Sequence, residues 1–518
     1  AEPVAETRTS EIAVNVRPEQ IESLPTSDRN FLSLAVLAPG TRLHNDRLDG
    51  TRKTLSAGAQ AAEQINVFID GASYKNDILL GGVAGQDASR GNPFPRNAVQ
   101  EFRVITQNFK AEYQKASSAI IVATTKSGTN EWRGSAFYNY QHEGLVALDS
   151  FQVAQRDNDP NFSRPDYKRH QFGFDIGGPL IKDRLHMFAS YEANRQNRAR
   201  RVNIVPPSGY PALDTINFAQ YNGEFDEPFR ATLGLFKLSY QHTENSQFEL
   251  SYNHRHENDI RDFGGNKAFQ AATRFKNDVN TGILKHTYAR GPWLNEATVS
   301  FQRYRYNPVP NTPGTVNRFY GFGCCAEIGS AWSEQDFTQK RLSFRNDLTR
   351  AGLSWAGSHV VKLGFNVDFL DYDIIKRNEE TPRFVYEPWH FDFAFPHRVE
   401  FQTGDPNFGA SNTQVGLYIQ DDWSPTDRLV LNLGVRWDFE SNMINLDYVT
   451  PQAVVDSIRK YKSNLFLPLD ESRYFTDGND RSPFLGAIQP RLGLAYSLGR
   501  DRTTTLFGGW GIFYDRTV

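Results

Sequence analysis

The sequence predicts a membrane all-β fold: an antiparallel up-and-down transmembrane β-barrel with an N-terminal α+β domain. Three observations predict it. After Trp132 the chain is nearly all strands of period two. The gaps between those strands alternate short and long. The composition carries 38 Phe, 22 Tyr, 8 Trp and 39 Gly against 2 Met, at a mean hydropathy of −0.57. Strands that alternate apolar and polar residues average to such a value.

The totals bound the alternatives. At 518 residues the chain exceeds one ordinary core, so two domains or one large barrel are expected. A net charge of −3 argues against a nucleic-acid partner held by phosphate attraction. No run approaches the roughly 18 apolar residues of a membrane helix, which leaves a barrel open. The start, Ala1-Glu2-Pro3, shows neither a charged leader nor an apolar one. The chain is therefore read as processed or, preferably, as a fragment.

The first quarter reads as the α+β domain. Thr9–Val16 is a short strand, and Pro18–Leu24 starts a helix with Glu19 and Glu22 in its first turn. Ser27–Leu37 reads as a helix capped by Ser27 or Asp28 and stopped by Pro39-Gly40. Ile65–Ile69 is a strand ending in the turn Asp70-Gly71, and Tyr74–Pro95 is glycine-rich and irregular. Phe102, Val104 and Ile105 mark one strand and Ala119–Thr125 another. Lys126–Asn130 then breaks the chain with turn residues.

From Trp132, alternate positions Gly134, Ala136, Tyr138 and Tyr140 open the long series of strands. Hairpins with short turns are expected for Arg169–Gly178 with Leu185–Arg195, Leu233–Gln241 with Phe248–His256, and Gly282–Ala289 with Glu296–Tyr306. Three more pair Arg341–Leu348 with Val360–Phe369, Val415–Trp423 with Leu429–Phe439, and Pro490–Leu498 with Thr503–Tyr514. Between hairpins lie longer polar connections at 142–167, 202–228, 307–333, 376–411 and 442–484, and a shorter one near 262–272. Short turns on one side and long loops on the other describe an outer-membrane barrel.

The strand faces agree. Leu429, Leu431, Leu433, Val435, Trp437 and Phe439 share one face, opposite Asn432, Arg436 and Asp438. Val361, Leu363, Phe365, Val367 and Phe369 likewise oppose Lys362, Asn366 and Asp368. A charge at the bilayer midplane costs roughly 2–4 kcal/mol, so the apolar faces belong against lipid and the charged ones in the lumen. A soluble sandwich would reverse the faces, and periodicity alone does not separate the two. Loop asymmetry and strand-end aromatics such as Trp423, Trp437 and Trp510 favour the barrel.

Three stretches carry a family likeness. The first is Thr125-Lys126-Ser127-Gly128-Thr129-Asn130 followed by the strand Gly134-Ser135-Ala136-Phe137. The second pairs Leu417–Trp423 with Asp427–Asp438, and the third pairs Pro490–Tyr496 with Phe507–Asp515. In that order they resemble TonB-dependent receptors of the bacterial outer membrane, the Oar-like branch in particular. The segment from Leu24-Pro25 through Arg29-Asn30-Phe31 to Pro39-Gly40, and the strand ending Ile69-Asp70-Gly71, resemble plugs of that branch.

The resemblance implies a plug at 1–128 and the N-terminal part of the receptor barrel at 129–518, truncated at its C-terminus. About thirteen strands are counted here, where plugged transporters have about 22. It implies residence in the outer membrane and ligand capture by outer loops and plug apices. Uptake would be energised by TonB from the periplasmic side. The implied partners are TonB, outer-membrane lipid and lipopolysaccharide, and an unknown extracellular ligand; no nucleic acid and no cofactor are expected. No TonB-binding segment is identifiable within Ala1–Ser10, and a small β-sandwich upstream of Ala1 often accompanies the family. The rival readings are a non-transporting structural or adhesive outer-membrane protein and a soluble all-β carbohydrate-binding protein.

Candidate chemistry is sparse. No metalloprotease, hydrolase-elbow, Walker or dinucleotide motif occurs, so no enzyme activity and no metal site are assigned. His254 and His256 lie two apart on one strand and read as rim histidines rather than ligands. Asp477–Ser482 reads as a polar turn, lacking the spacing of a calcium loop. Arg195, Arg198, Arg200 and Arg201 stand at an outer strand end, solvated or facing lipopolysaccharide phosphates. Tyr386, Trp389, His390, Phe391 and Phe393 form an aromatic patch that packs on itself or stacks on a sugar or peptide. Adjacent Cys324 and Cys325 read first as two free thiols, second as a vicinal disulfide, and last as a metal pair. The candidate ligand-binding residues are Tyr74, Arg90, Arg96, Tyr386, Trp389 and Phe391.

Overall fold

The computed structural model describes residues 9–515 apart from 27, 46–52, 78–81, 87–88, 161, 443–445, 465–467, 480 and 500–503. The expected cap Ser27, parts of the 74–95 and 442–484 segments, Asp480, Thr503 and most of the segment 1–10 lie outside the described residues.

The N-terminal unit comprises β1 (Ile12–Val16), α1 (Pro18–Ser23), β2 (Thr41–Asn45), β3 (Lys53–Ala57), β4 (Ile65–Ile69), β5 (Ala72–Ser73), β6 (Val99–Gln107) and β7 (Ala119–Thr125). Five of these strands form one mixed sheet in the order β1-β6-β7-β4-β5, with β4 parallel to β7. The hairpin β2–β3 forms a separate two-stranded sheet and is not among the expected strands. Pro18 sits in the first turn of α1, where its missing N–H costs nothing. The turn Asp70-Gly71 closes β4 onto β5 with positive φ at both residues, 49° and 88°. A two-residue turn of this kind suits a right-twisted hairpin.

One expected helix is corrected. Residues Phe31–Leu37 form a 3₁₀ helix capped by Asn30, whose Oδ1 accepts from the Leu32 N–H at 3.1 Å. Arg29 has φ of +58° and breaks the chain before the helix. The Asp28 carboxylate is used one step earlier, on the Asn30 N–H at 3.1 Å.

The remaining chain forms an antiparallel sheet of 13 strands joined in sequence order. Its strands are β8 (Arg133–His142), β9 (Tyr167–Ile181), β10 (Leu185–Val202), β11 (Gly223–Thr243), β12 (Ser246–Arg261), β13 (Thr273–Arg290) and β14 (Trp293–Pro310). After the loop strands β15 (Val316–Phe322) and β16 (Cys324–Gly329) come β17 (Ser333–Ser354) and β18 (Ser358–Asn378). After the loop strands β19 (Arg383–Tyr386) and β20 (Arg398–Glu400) come β21 (Asn407–Thr426), β22 (Leu429–Glu440), β23 (Ile488–Leu498) and β24 (Thr504–Gly511). Every expected hairpin pairs as a neighbour. The strands run longer than expected: β17 has 22 residues, where crossing hydrocarbon takes about 9–11. Alternation ends where a strand leaves the apolar layer, while its backbone ladder continues.

The sheet wraps around the N-terminal unit. Leu363, Phe365, Leu417, Ile419, Leu433 and Val435 are exposed on the outer side. Asn366, Asp368, Gln420, Asn432 and Arg436 are buried on the inner side. The soluble sandwich reading fails here, because the apolar face is outside. Trp423 near the short-turn end bonds the Ala356 carbonyl, and Trp437 near the long-loop end bonds the Leu485 carbonyl. Indoles at both strand ends are what an apolar band with two polar boundaries requires.

The inner side is not wholly polar. Phe188, Leu235 and Ile283 join the buried cluster of the N-terminal unit, beside Val67, Phe102 and Ile121. On β11 the inward set is Phe229, Ala231, Leu233 and Leu235 before Lys237. The lumen here is filled by protein with an apolar core of its own, so that wall supplies apolar cover rather than charge.

The long connections are partly structured. α2 (Ser150–Asn158), α3 (Pro211–Asp214) and α4 (Gln452–Tyr461) lie in three of them. Strands from two others form a separate sheet in the order β16-β15-β19-β20. Beneath it Phe218, Phe319, Phe322 and Phe393 share one buried cluster with Val202 and Ala268. Loops expected as separate polar segments therefore form one outer body.

Candidate functional site

Two regions gather chemistry: the seam between the N-terminal unit and the wall, and the outer loop body. The seam is mostly charge and backbone. Arg29 pairs with Glu192 at 3.3 Å, Lys110 with Asp422 at 2.6 Å and Lys115 with Asp368 at 2.7 Å. Arg341 binds Asp77 and donates to the carbonyls of Ser73 and Lys75 at 3.1 and 2.7 Å. Arg436 donates to Gln114 at 2.9 Å, and Ser10 donates through both N–H and hydroxyl to Asn432.

Neighbouring charges, acting against burial, set the ionisation of these groups. For Glu112, burial alone would raise the carboxyl, but Lys362 and Arg345 outweigh it and hold it below the usual carboxylate range. For Lys110, burial opposes the charge, yet Asp422 overrides it and raises the ammonium above its ordinary value. Near the short-turn end a cavity of about 270 Å³ opens between unit and wall, lined among others by Asp70, Glu112, Lys237, Lys285, Glu296 and Lys362.

At the long-loop end the segment 82–96 meets β11 to β13. The Gly85 carbonyl accepts from Asn277 at 2.7 Å and from Arg255 at 3.1 Å, and the Ser89 hydroxyl donates to Glu257 at 2.6 Å. A Cβ at Gly91 would meet the Glu257 carboxylate at 2.0 Å, so a larger residue here would require the Glu257 side chain to move.

The six sequence candidates separate. Tyr74 is buried, and its hydroxyl accepts from Asn253 at 3.2 Å; burial pushes its phenol up to about 12. Arg90 pairs with Glu227 at 2.8 Å and Asp259 at 3.5 Å, so it ties the segment to the wall. Arg96 stays within the N-terminal unit, donating to the carbonyls of Ile21 and Leu24 and to the Thr26 hydroxyl. Tyr386 stacks on Phe319 at 4.6 Å inside the loop body. Trp389 and Phe391 are exposed on its surface, 65% and 62%. Only these last two stand together facing outward.

The other readings resolve as follows. Arg198 and Arg200 turn inward onto Glu227, while Arg201 is exposed. His254 and His256 bond the neighbouring strand through Asn280 and Asp278. Asp477 accepts from the Asn479 N–H at 2.9 Å, a local polar turn. Cys324 and Cys325 are free thiols with their sulfurs 2.8 Å apart. Sequence reasoning placed His390 only in the aromatic patch and passed over Glu387 and His397. Among the described residues these three bring potential metal-ligating atoms within 4.8 Å of one another. Their spacing of three and seven residues was the available signal.

Residues 124–212 and 208–518 match the family model described as an outer membrane beta barrel domain. The chain is 24% identical over 535 aligned positions to the TonB-dependent transporter Oar of Myxococcus xanthus, covering 85% of this chain and 48% of that protein. It thus spans about half the length of the curated relative it matches. The outer membrane transporter YddB of Escherichia coli superposes with a TM-score of 0.70 at 12% identity, over 97% of this chain and 61% of that one. The siderophore receptor PirA of Acinetobacter baumannii superposes with a TM-score of 0.61 at 16% identity, over 98% and 61%.

Proposed function

Because the chain belongs to the outer membrane β-barrel family, and so resides in the bacterial outer membrane, we propose that it takes up an extracellular ligand through a plugged barrel, energised by TonB from the periplasm. In this reading the plug is 1–128 and the barrel begins at 129. The relatives are transporters and receptors, and no catalytic role is assigned.

The observation that carries the reading is the seam. Its ties are largely ion pairs and hydrogen bonds to backbone, from Arg29–Glu192 to Lys115–Asp368. Buried ion pairs fix geometry but add little net stability over an apolar contact, because desolvation offsets the Coulomb gain. A plug held this way is positioned specifically and can be drawn off by a modest pull. Trp389 and Phe391 at the outer surface are the proposed first contacts for ligand, and Arg90 links the segment 82–96 to the wall beneath them. The exposure of Arg201 at the end of its strand supports a contact with lipopolysaccharide phosphate in the same reading.

The test compares cells expressing the protein with and without TonB and profiles which compounds leave the medium. The reading expects depletion of a compound only when both are present. Equal depletion profiles would favour the structural or adhesive role, which the exposed Trp389, Phe391 and Phe395 would also suit.

A further inference from the structure

The outer loop body contains a cluster that neither the barrel nor the seam needs. Glu387, His390 and His397 converge beside the exposed Trp389 and Phe391. Glu387 Oε2 lies 3.1 Å from His390 Nδ1 and 3.8 Å from His397 Nε2. The two imidazole rings lie one over the other, centroids 3.8 Å apart and planes 30° from parallel. Donors bound to one tetrahedral ion at about 2.0–2.2 Å stand about 3.3 Å from one another. The two spacings from Glu387 bracket that value and all three donor atoms lie within 4.8 Å of one another, so rotation of the stacked rings about their side-chain torsions would bring them onto one ion.

The backbone holds this arrangement from both sides. The His390 N–H donates to the Glu387 carbonyl at 3.3 Å, and the His397 N–H to the Val385 carbonyl at 2.8 Å. Between the two histidines Phe391, Asp392 and Phe393 all have positive φ, 57°, 49° and 65°. Left-handed conformations are unfavourable for such residues, and here they turn the chain so that His397 returns over His390. Phe393 is buried in the aromatic cluster and anchors the turn, edge-on to Tyr210 at 5.0 Å. Arg398 Nη1 stands 3.8 Å from Glu387 Oε1, while its hydrogen bond goes to Glu400 at 2.7 Å. Glu387 is almost fully buried, while both histidines are part-exposed. The cluster is closed toward the loop body and open toward solvent, as a three-donor site with room for water or an external group must be.

We propose that Glu387, His390 and His397 bind a divalent transition-metal ion of the zinc class. Two imidazoles and one carboxylate suit Zn²⁺ and its neighbours Ni²⁺ and Cu²⁺, whereas Ca²⁺ and Mg²⁺ take oxygen donors. Bound metal joins the two limbs of the loop and fixes the chain that carries Trp389 and Phe391.

The test uses the full chain in detergent, stripped with a chelator and titrated with Zn²⁺ alone by calorimetry. The expected result is one saturable Zn²⁺ per chain, with affinity weakened roughly tenfold or more in Glu387→Gln and in His397→Ala and little heat from Mg²⁺. Absence of saturable Zn²⁺ binding, or unchanged affinity in both variants, overturns the proposal. X-ray absorption on the Zn²⁺-loaded wild type does not depend on how the variants fold. Scattering from two imidazoles with a light-atom first shell supports the site. A sulfur shell would place the ion on Cys324 and Cys325 and overturn it.

Discussion

Arg341 shows what a single side chain does at the seam. It is buried, binds Asp77, and donates to two carbonyls of the N-terminal unit. Arg341→Ala removes the cation while the Asp77 carboxylate stays in place, and losing one partner of a buried pair costs about 3–5 kcal/mol. Amide exchange around Ser73–Asp77 should accelerate while exchange in the wall strands stays slow. Glu112 sets a pH limit. Its folded pKa lies below the ordinary carboxylate range, so its contribution is fully present above the unfolded value of about 4.3 and is lost as pH falls through the lower folded value. Lys110 has the opposite sign: its folded pKa is raised, so its contribution is full below the unfolded value and is lost as pH rises through the folded one. The protection of residues 109–116, measured as exchange relative to the unstructured rate at each pH, should therefore be greatest between the two limits. A flat profile would show that neither group holds the plug.

At the level of elements, the outward face of β18 is the clearest case. Leu363→Arg places a charge on the lipid side, with an expected cost of about 2–4 kcal/mol near the midplane. Urea-dependent folding into lipid vesicles measures it. In the loop body, Phe393→Ala empties the aromatic cluster, and proteases should then cut within 379–406 while the 13-stranded sheet survives. The two elements differ in how far the sequence revealed them. The alternation of Leu363, Phe365 and Phe369 against Asn366 and Asp368 made β18 and its hairpin with β17 legible, because hydrocarbon on one side forces period two. The expected strand stops at Phe369 and the expected connection takes in 376–378, whereas β18 runs on to Asn378; at Leu370 and Tyr372 the apolar side chains turn inward instead of outward, so the outward apolar pattern ends there. The sheet of β15, β16, β19 and β20 was invisible because Phe319 and Tyr386 are neighbours only in space. The same distance hid the stacking of Tyr386 on Phe319 and the convergence of His390 and His397.

On the scale of the molecule, one principle accounts for both parts. A curved sheet turns its apolar side outward, and the space it encloses is filled by a unit with its own core. That explains why the lumen face is charged at Asp368 and Arg436 yet apolar at Leu235 and Ile283. It also explains why the arginines of 195–201 divide, with Arg198 and Arg200 inward on Glu227 and Arg201 outward. The most direct test is a set of nitroxide labels at Leu363, Leu433, Asn366 and Asn432, with Cys324 and Cys325 replaced by serine, in protein reconstituted into bilayers. The account predicts that labels at Leu363 and Leu433 collide freely with oxygen and little with a water-soluble nickel complex, while labels at Asn366 and Asn432 are immobile and reached by neither. Labels at Leu363 and Leu433 that the nickel complex reaches freely would contradict it.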